Sequence, residues 1–224
     1  MSSTLLPLPR RKTALRKARP TLDTPPPSLE NGDHLSAVEF MRRYESMPST
    51  RKIQLIEGIV FMPSPVRAKS HGAPDNVVQF WLASYAMNHP ELEAYANTSI
   101  LLDAENSLQP DAMLCTQPAE GARTHLDEKG YLCGSPELVC EITASSASVD
   151  LHAKYRAYRR AGVAEYLVWL TEEKRVRWFQ LVDGDYLEAK ERHGKLHSQI
   201  FPGLTLDVKA LLKLDRKKVI AALS

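Results

Sequence analysis

Gln109-Pro110-Asp111-Ala112-Met113-Leu114-Cys115 and Pro136-Glu137-Leu138-Val139-Cys140-Glu141-Ile142 are short apolar runs, each following a proline and each carrying a carboxylate near one end. Proline is tolerated at the first position of a strand but not in its middle, so both runs read as strands. Paired as neighbours in a hairpin, they bring Asp111 and Glu141 to the same edge of a sheet. Ionised carboxylates there are costly unless a cation neutralises them, which points to a divalent metal site. Lys154 follows on the next predicted helix. Two acids and a lysine at the end of a sheet suit metal-assisted phosphodiester hydrolysis. The acids hold Mg²⁺, and the ammonium orients the attacking water or stabilises developing charge.

Upstream, Ser36 predicts a helix start, with Glu39 three positions on completing a capping box and Val38, Met41, Phe40 and Tyr44 as candidate core positions. Ile53 to Met62 is mostly apolar and interrupted by Gly58, which reads as a strand or a tight strand pair. From His71 to about Met87, the residues Val77, Val78, Trp81, Leu82 and Tyr85 recur at helical spacing, predicting an amphipathic helix packed on a sheet. A strand is expected from Tyr95 to Leu102, and a long polar loop between the two acid-bearing strands.

Downstream, a helix is predicted from about Val149 to Ala161, ended by Gly162. Strands are expected at 165–170, 175–182, 186–190 and 196–200, with Asp183-Gly184 as a turn, and a helix from Leu206 to Leu223. The order is mixed α/β and not a repeat. Trp81, Trp169 and Trp178 lie within apolar periodic runs and read as core.

The chain has 224 residues, 43% of them hydrophobic, enough for one substantial core. It divides into a basic, proline-rich tail over 1–33, expected to be disordered, and a single domain over 34–224. Residues 1–27 hold six Arg or Lys against Asp23 alone, leaving 23 basic and 26 acidic residues downstream, a balance of −3. The body therefore lacks the positive footprint that tight duplex binding usually requires. No apolar run approaches the roughly 20 residues of a membrane span, and the basic start has no secretory-signal pattern. Cys115, Cys133 and Cys140 are odd in number and scattered, which argues against a disulfide framework and for a reducing cytoplasm.

The run from Leu55 to Leu181 resembles the Uma2 family, a group of bacterial proteins with the PD-(D/E)xK restriction-endonuclease-like fold. The resemblance is carried by Leu55-Ile56-Glu57-Gly58, Pro63-Ser64-Pro65 with His71 after it, Pro110-Asp111, Glu141-Ile142, then Asp150, Lys154, Tyr158 and Ala161-Gly162-Val163-Ala164-Glu165-Tyr166. It implies an endonuclease-like core, a mixed central β-sheet flanked by helices, in which Asp111 and Glu141 bind metal and Lys154 is the basic member. Glu57 would be a further acidic contributor. Three features depart from the family pattern. Thr143 occupies the slot two residues after the second acid where the motif places lysine, and Thr143-Ala144-Ser145-Ser146 replaces the expected Ser-Pro pair. Lys154 fits a lysine relocated to the following helix, since catalysis needs an ammonium in the right place whatever segment carries it. Leu170 stands where relatives are expected to carry Asp.

The resulting expectation is a Mg²⁺- or Mn²⁺-dependent endodeoxyribonuclease, with Asp111, Glu141, Glu57 and the Ile142 carbonyl around the metal and Lys154 beside it. His71, Arg156 and Arg159 are candidates for contacts to DNA phosphates, and a second copy of the chain is a candidate partner. Plainer readings stand beside each assignment. Asp111 could be a turn residue, Glu57 a solvent-facing strand residue, and His71 simply solvated. Lys154 could form an ordinary i,i+4 surface pair with Asp150, and the arginines could line a solvated helix face. At the level of function, the alternatives are a non-catalytic DNA- or partner-binding module of the same fold, and a metal-dependent hydrolase with another substrate.

Overall fold

The computed structural model describes residues 25–47, 52–144 and 146–223. The expected tail over 1–33 thus falls mostly outside the described residues. In chain order the elements are α1 (Ala37–Glu45), β1 (Gln54–Ile56), β2 (Ile59–Phe61), α2 (Ala73–Ala86), β3 (Leu92–Ala96), β4 (Ile100–Asp103), β5 (Asn106–Leu108), β6 (Ala112–Thr116), β7 (Thr124–Leu126), β8 (Leu132–Gly134) and β9 (Leu138–Thr143). They continue with α3 (Tyr155–Ala161), β10 (Glu165–Leu170), β11 (Arg175–Val182), β12 (Asp185–Glu188), β13 (Lys195–His197), β14 (Thr205–Asp207), α4 (Val208–Leu212) and α5 (Arg216–Ala221). Single π-helical segments, Ala68–Gly72 and Val149–Lys154, lead into α2 and α3. Among the described residues no helix is long and apolar enough to cross a membrane.

The central sheet has the order β12-β11-β10-β9-β6-β3. It is mixed: β9 and β10 run parallel while β6 pairs antiparallel to β9. Both β9 and β10 are buried along their whole length, as an apolar strand covered on two faces must be. Alternation along β9 sorts its side chains. Leu138, Cys140 and Ile142 enter a core shared with Trp81, Leu82 and Leu211 from α2 and α4, whereas Val139 joins Tyr158, Tyr166, Ile100 and Leu132 on the opposite face. Glu141, in phase with Val139, therefore projects towards α3. A second sheet, β2-β1-β5-β4-β8-β7, covers that face, and α1 packs on it with a smaller core of Phe40, Met41, Leu55 and Val60.

Several expectations hold. Ser36 caps α1, its hydroxyl accepting from the Glu39 amide at 3.3 Å. The 53–62 segment is a tight hairpin whose turn residues Glu57 and Gly58 both take positive φ, 52° and 75°, the pattern of a type I′ turn. The three tryptophans are buried, and α3 ends at Gly162.

Others are corrected. The acid-bearing strands are neighbours but not a hairpin, because the polar segment between them builds β7 and β8 in the second sheet. The entry to that hairpin crowds Gly134, where an added Cβ would collide with the Arg123 carbonyl oxygen. The expected strand over 95–102 divides at Asn97 (φ 49°) into β3 and β4, which belong to different sheets. The C-terminal helix is instead β14 followed by two short helices. Asp207 and Asp215 each cap a new helix start, and Leu214 (φ 57°) interrupts the run. On α1, Val38 is exposed and Ala37 takes its expected place in the core. Glu39 pairs with Arg42 and Arg43 in place of closing a capping box.

Candidate active site

Asp111 stands immediately before β6 and Glu141 lies within β9. The antiparallel register that pairs Ala112 with Cys140 sets Asp111 directly opposite Glu141, so both side chains leave the same face of the sheet. They line one cavity of about 920 Å³, with Lys52, His71, Asp150 and Lys154 also on its wall. Asp111 and Glu141 are each only 2% exposed.

Asp111 is held on both oxygens. Oδ1 meets the Lys52 ammonium at 2.8 Å, and Oδ2 accepts from the Ile142 backbone amide at 2.8 Å, with His71 Nε2 at 3.4 Å. Burial alone would raise this carboxyl's pKa, but His71 and Lys52 overcome it and hold the group well below the usual carboxylate range. The same contact raises the His71 pKa against its burial. His71 reaches the site from the π-helical segment before α2, a segment fixed in part by the Thr171 hydroxyl donating to the Ser70 carbonyl.

Glu141 sits in a different environment. Burial pushes its pKa up to about 7, with Lys154 opposing the rise and the charges of Asp150 and Asp111 adding to it. The Tyr158 hydroxyl donates to Oε1 at 2.8 Å, and Lys154 Nζ lies 2.9 Å from the same oxygen. Lys154 is itself buried and reaches Asp150 Oδ1 at 3.1 Å. Desolvation would lower its pKa, but the two carboxylates outweigh that and raise it. The i,i+4 pair with Asp150 is therefore real but not a surface pair: it is half of a buried Asp150–Lys154–Glu141 chain. Ser146 Oγ completes it by donating to Asp150 Oδ2 at 3.0 Å.

Asp111, Glu141, Ile142, Lys154 and His71 are thus brought to one cavity. Three other candidates are not. The Glu57 carboxylate bonds Arg156 at 2.6 Å and Arg160 at 2.7 Å, a bridge that ties the β1–β2 turn to α3, and it does not line the cavity. Its turn conformation aims Glu57 at two guanidinium groups and away from the cavity where the metal role was expected. Arg156 and Arg159 are likewise engaged with carboxylates, Glu57 and Asp185, and are absent from the cavity wall. Lys52 is the residue that sequence reading missed. A lysine at a strand entry has no spacing signature, and only the packing of the two sheets sets it beside Asp111.

The donor chemistry fits a hard divalent cation. Two opposed carboxylates offer oxygen ligands, and Mg²⁺ is commonly held by one or two carboxylates, with water and substrate phosphates supplying the rest. Among the described residues no group of three or more His, Cys, Asp or Glu side chains is arranged to hold a metal unaided.

Comparison with known proteins places the fold and the family. A crystal structure titled as a putative nuclease belonging to DUF820 from Anabaena variabilis superposes with a TM-score of 0.62 at 17% identity, covering 80% of this chain and 98% of that one. The shared fold is restriction-endonuclease-like. No curated protein matches the chain. Residues 38–209 match the Uma2 family, described as "Putative restriction endonuclease", and the chain belongs to that family.

Proposed function

We propose that this protein is a metal-dependent endonuclease that hydrolyses DNA phosphodiester bonds. The observation that carries the proposal is the placement of Asp111 opposite Glu141, with the buried Lys154 ammonium 2.9 Å from Glu141, in one cavity. Asp111 and Glu141 are the ligands for Mg²⁺ or Mn²⁺, with the carbonyl of the adjoining Ile142 as a further donor. The bound ion would supply Lewis-acid activation of water and offset charge on the phosphate. Lys154 holds an ammonium fixed by Asp150, pre-organised to face developing negative charge without reorganising during the reaction. Tyr158 orients the Glu141 carboxylate through Oε1. His71 lines the cavity as a donor to a substrate phosphate. The family description supports DNA as substrate.

Asp111→Asn and Glu141→Gln are each expected to abolish Mg²⁺-dependent cleavage of a DNA substrate while leaving the far-ultraviolet circular dichroism unchanged. Cleavage at the parent rate by both variants would sink the proposal.

One observation favours a second reading. Asp111 Oδ1 and Glu141 Oε1 are both already met by ammonium groups, so each of these oxygens has a counter-charge without a metal. On that reading the fold serves as a non-catalytic DNA- or partner-binding module. Titration calorimetry with Mg²⁺ and Mn²⁺ separates the two, since the module requires no metal binding.

A further inference from the structure

The two ammonium groups of the cavity differ in how firmly they are held. Lys154 is 6% exposed and clamped between two carboxylates. Lys52 is 30% exposed, and its ammonium touches one carboxylate, Asp111 Oδ1 at 2.8 Å, with the Asn97 side-chain oxygen at 3.4 Å. Asp111 is almost fully buried, and its other oxygen is taken by the Ile142 amide and His71. Oδ1 is therefore the oxygen left to face a cation, and a buried carboxylate cannot stand there without a counter-charge.

We infer that Lys52 is a placeholder cation: its ammonium occupies the Asp111 Oδ1 position that a divalent ion takes, and the entering ion displaces it. This rests on the metal reading of the site given above. An ammonium and a dication on one oxygen repel each other, and the repulsion grows as their separation falls, so binding of the ion favours departure of the ammonium. The long, flexible, partly solvated Lys52 stem lets its head leave for water at small cost, whereas releasing Lys154 would strand two buried acids. The other ionisable groups near Asp111 are Glu141, Lys154, His71 and Asp75. Lys154 is held by Glu141 and Asp150, His71 holds Oδ2, and Glu141 and Asp75 are acids, so none of them competes with Lys52 for Oδ1. Metal affinity of the parent protein is thus set below what its two carboxylates alone would provide, by the free energy of breaking one ion pair.

Calorimetric titration of Mn²⁺ into the parent, Lys52→Gln, Lys52→Met and Asp111→Asn proteins tests this, with melting temperatures recorded in chelator and at saturating Mn²⁺. Both Lys52 variants are expected to bind Mn²⁺ about fivefold tighter than the parent or better. Their melting temperatures should fall below the parent's in chelator and rise further than the parent's when Mn²⁺ is added. Lys52→Gln keeps a donor for Asp111 and serves if the methionine variant fails to fold. If folded Lys52 variants bind Mn²⁺ no tighter than the parent while Asp111→Asn loses binding, the placeholder role is wrong and the metal site stands. If neither the parent nor the Lys52 variants bind Mn²⁺, the metal reading fails and the inference falls with it.

Discussion

At the residue scale, the site works by giving two similar carboxylates different surroundings. Asp111 is kept ionised by a lysine, an imidazole and a backbone amide, whereas Glu141 lies deep enough that burial outweighs its single ammonium partner. Lys154 is the hinge of this arrangement, because removing it leaves Glu141 and Asp150 facing each other without a counter-charge. Lys154→Met is expected to destabilise the protein by about 3 kcal/mol, the usual cost of breaking a buried ion pair from one side. Adding Glu141→Gln to that variant should restore part of the loss, since one stranded charge then disappears. Urea denaturation of the two variants checks this, and a single variant within about 0.5 kcal/mol of the parent would contradict the buried chain. The contrast between Lys154 and Lys52 also belongs to this scale: the same side-chain chemistry is structural where two acids hold it and exchangeable where one does.

At the element scale, short turns decide which residues reach the site and which do not. The type I′ turn at Glu57-Gly58 points the Glu57 carboxylate at Arg156 and Arg160, so the β1–β2 hairpin is tied to α3 by charge. The Arg156 hydrogen bond, with help from Arg160, lowers the Glu57 pKa below its ordinary 4.5 despite partial burial. A depressed carboxylate contributes stability above its unfolded pKa and loses it as pH falls towards the lowered folded value. The stability difference between parent and Glu57→Gln should therefore be full above pH 4.5 and shrink below it. A difference that stays constant from about pH 6 to about pH 3 would show that the bridge carries no such linkage. The π-helical segments before α2 and α3 matter in the same way. One delivers His71, and the other carries Asp150 and Lys154. Such segments are over-represented at functional sites, where a widened turn re-aims side chains.

At the scale of the whole molecule, the central sheet is held between α2, α4 and α5 on one face and α3 with the second sheet on the other. Trp81 joins α2 to the central sheet and to β14. Its ring meets Trp178 edge-on at 5.8 Å, and its indole N–H donates to the Thr205 carbonyl at 3.1 Å. Trp81→Ala is expected to cost about 4 kcal/mol, the usual range for truncating a fully buried aromatic side chain. A loss below about 1 kcal/mol in equilibrium unfolding would mean that α2 is not a keystone of the core. Much of this architecture was legible in the chain itself. The proline-led apolar runs, the 3.6-residue pattern of Val77 to Tyr85 and the Asp183-Gly184 turn are local signals, and local sterics and burial translate them directly into strands, a helix and a hairpin. So was the candidate pair Asp111 and Glu141, because buried acids on apolar strands are costly enough to announce themselves, whereas Lys154 was singled out by the resemblance to the Uma2 family. The division of the 95–102 segment between two sheets, the hairpin hidden in the polar loop, the diversion of Glu57 to α3 and the arrival of Lys52 at Asp111 were not legible. Each depends on which elements become neighbours, and that is decided by the burial of whole faces across the fold, a quantity that no short window of sequence contains.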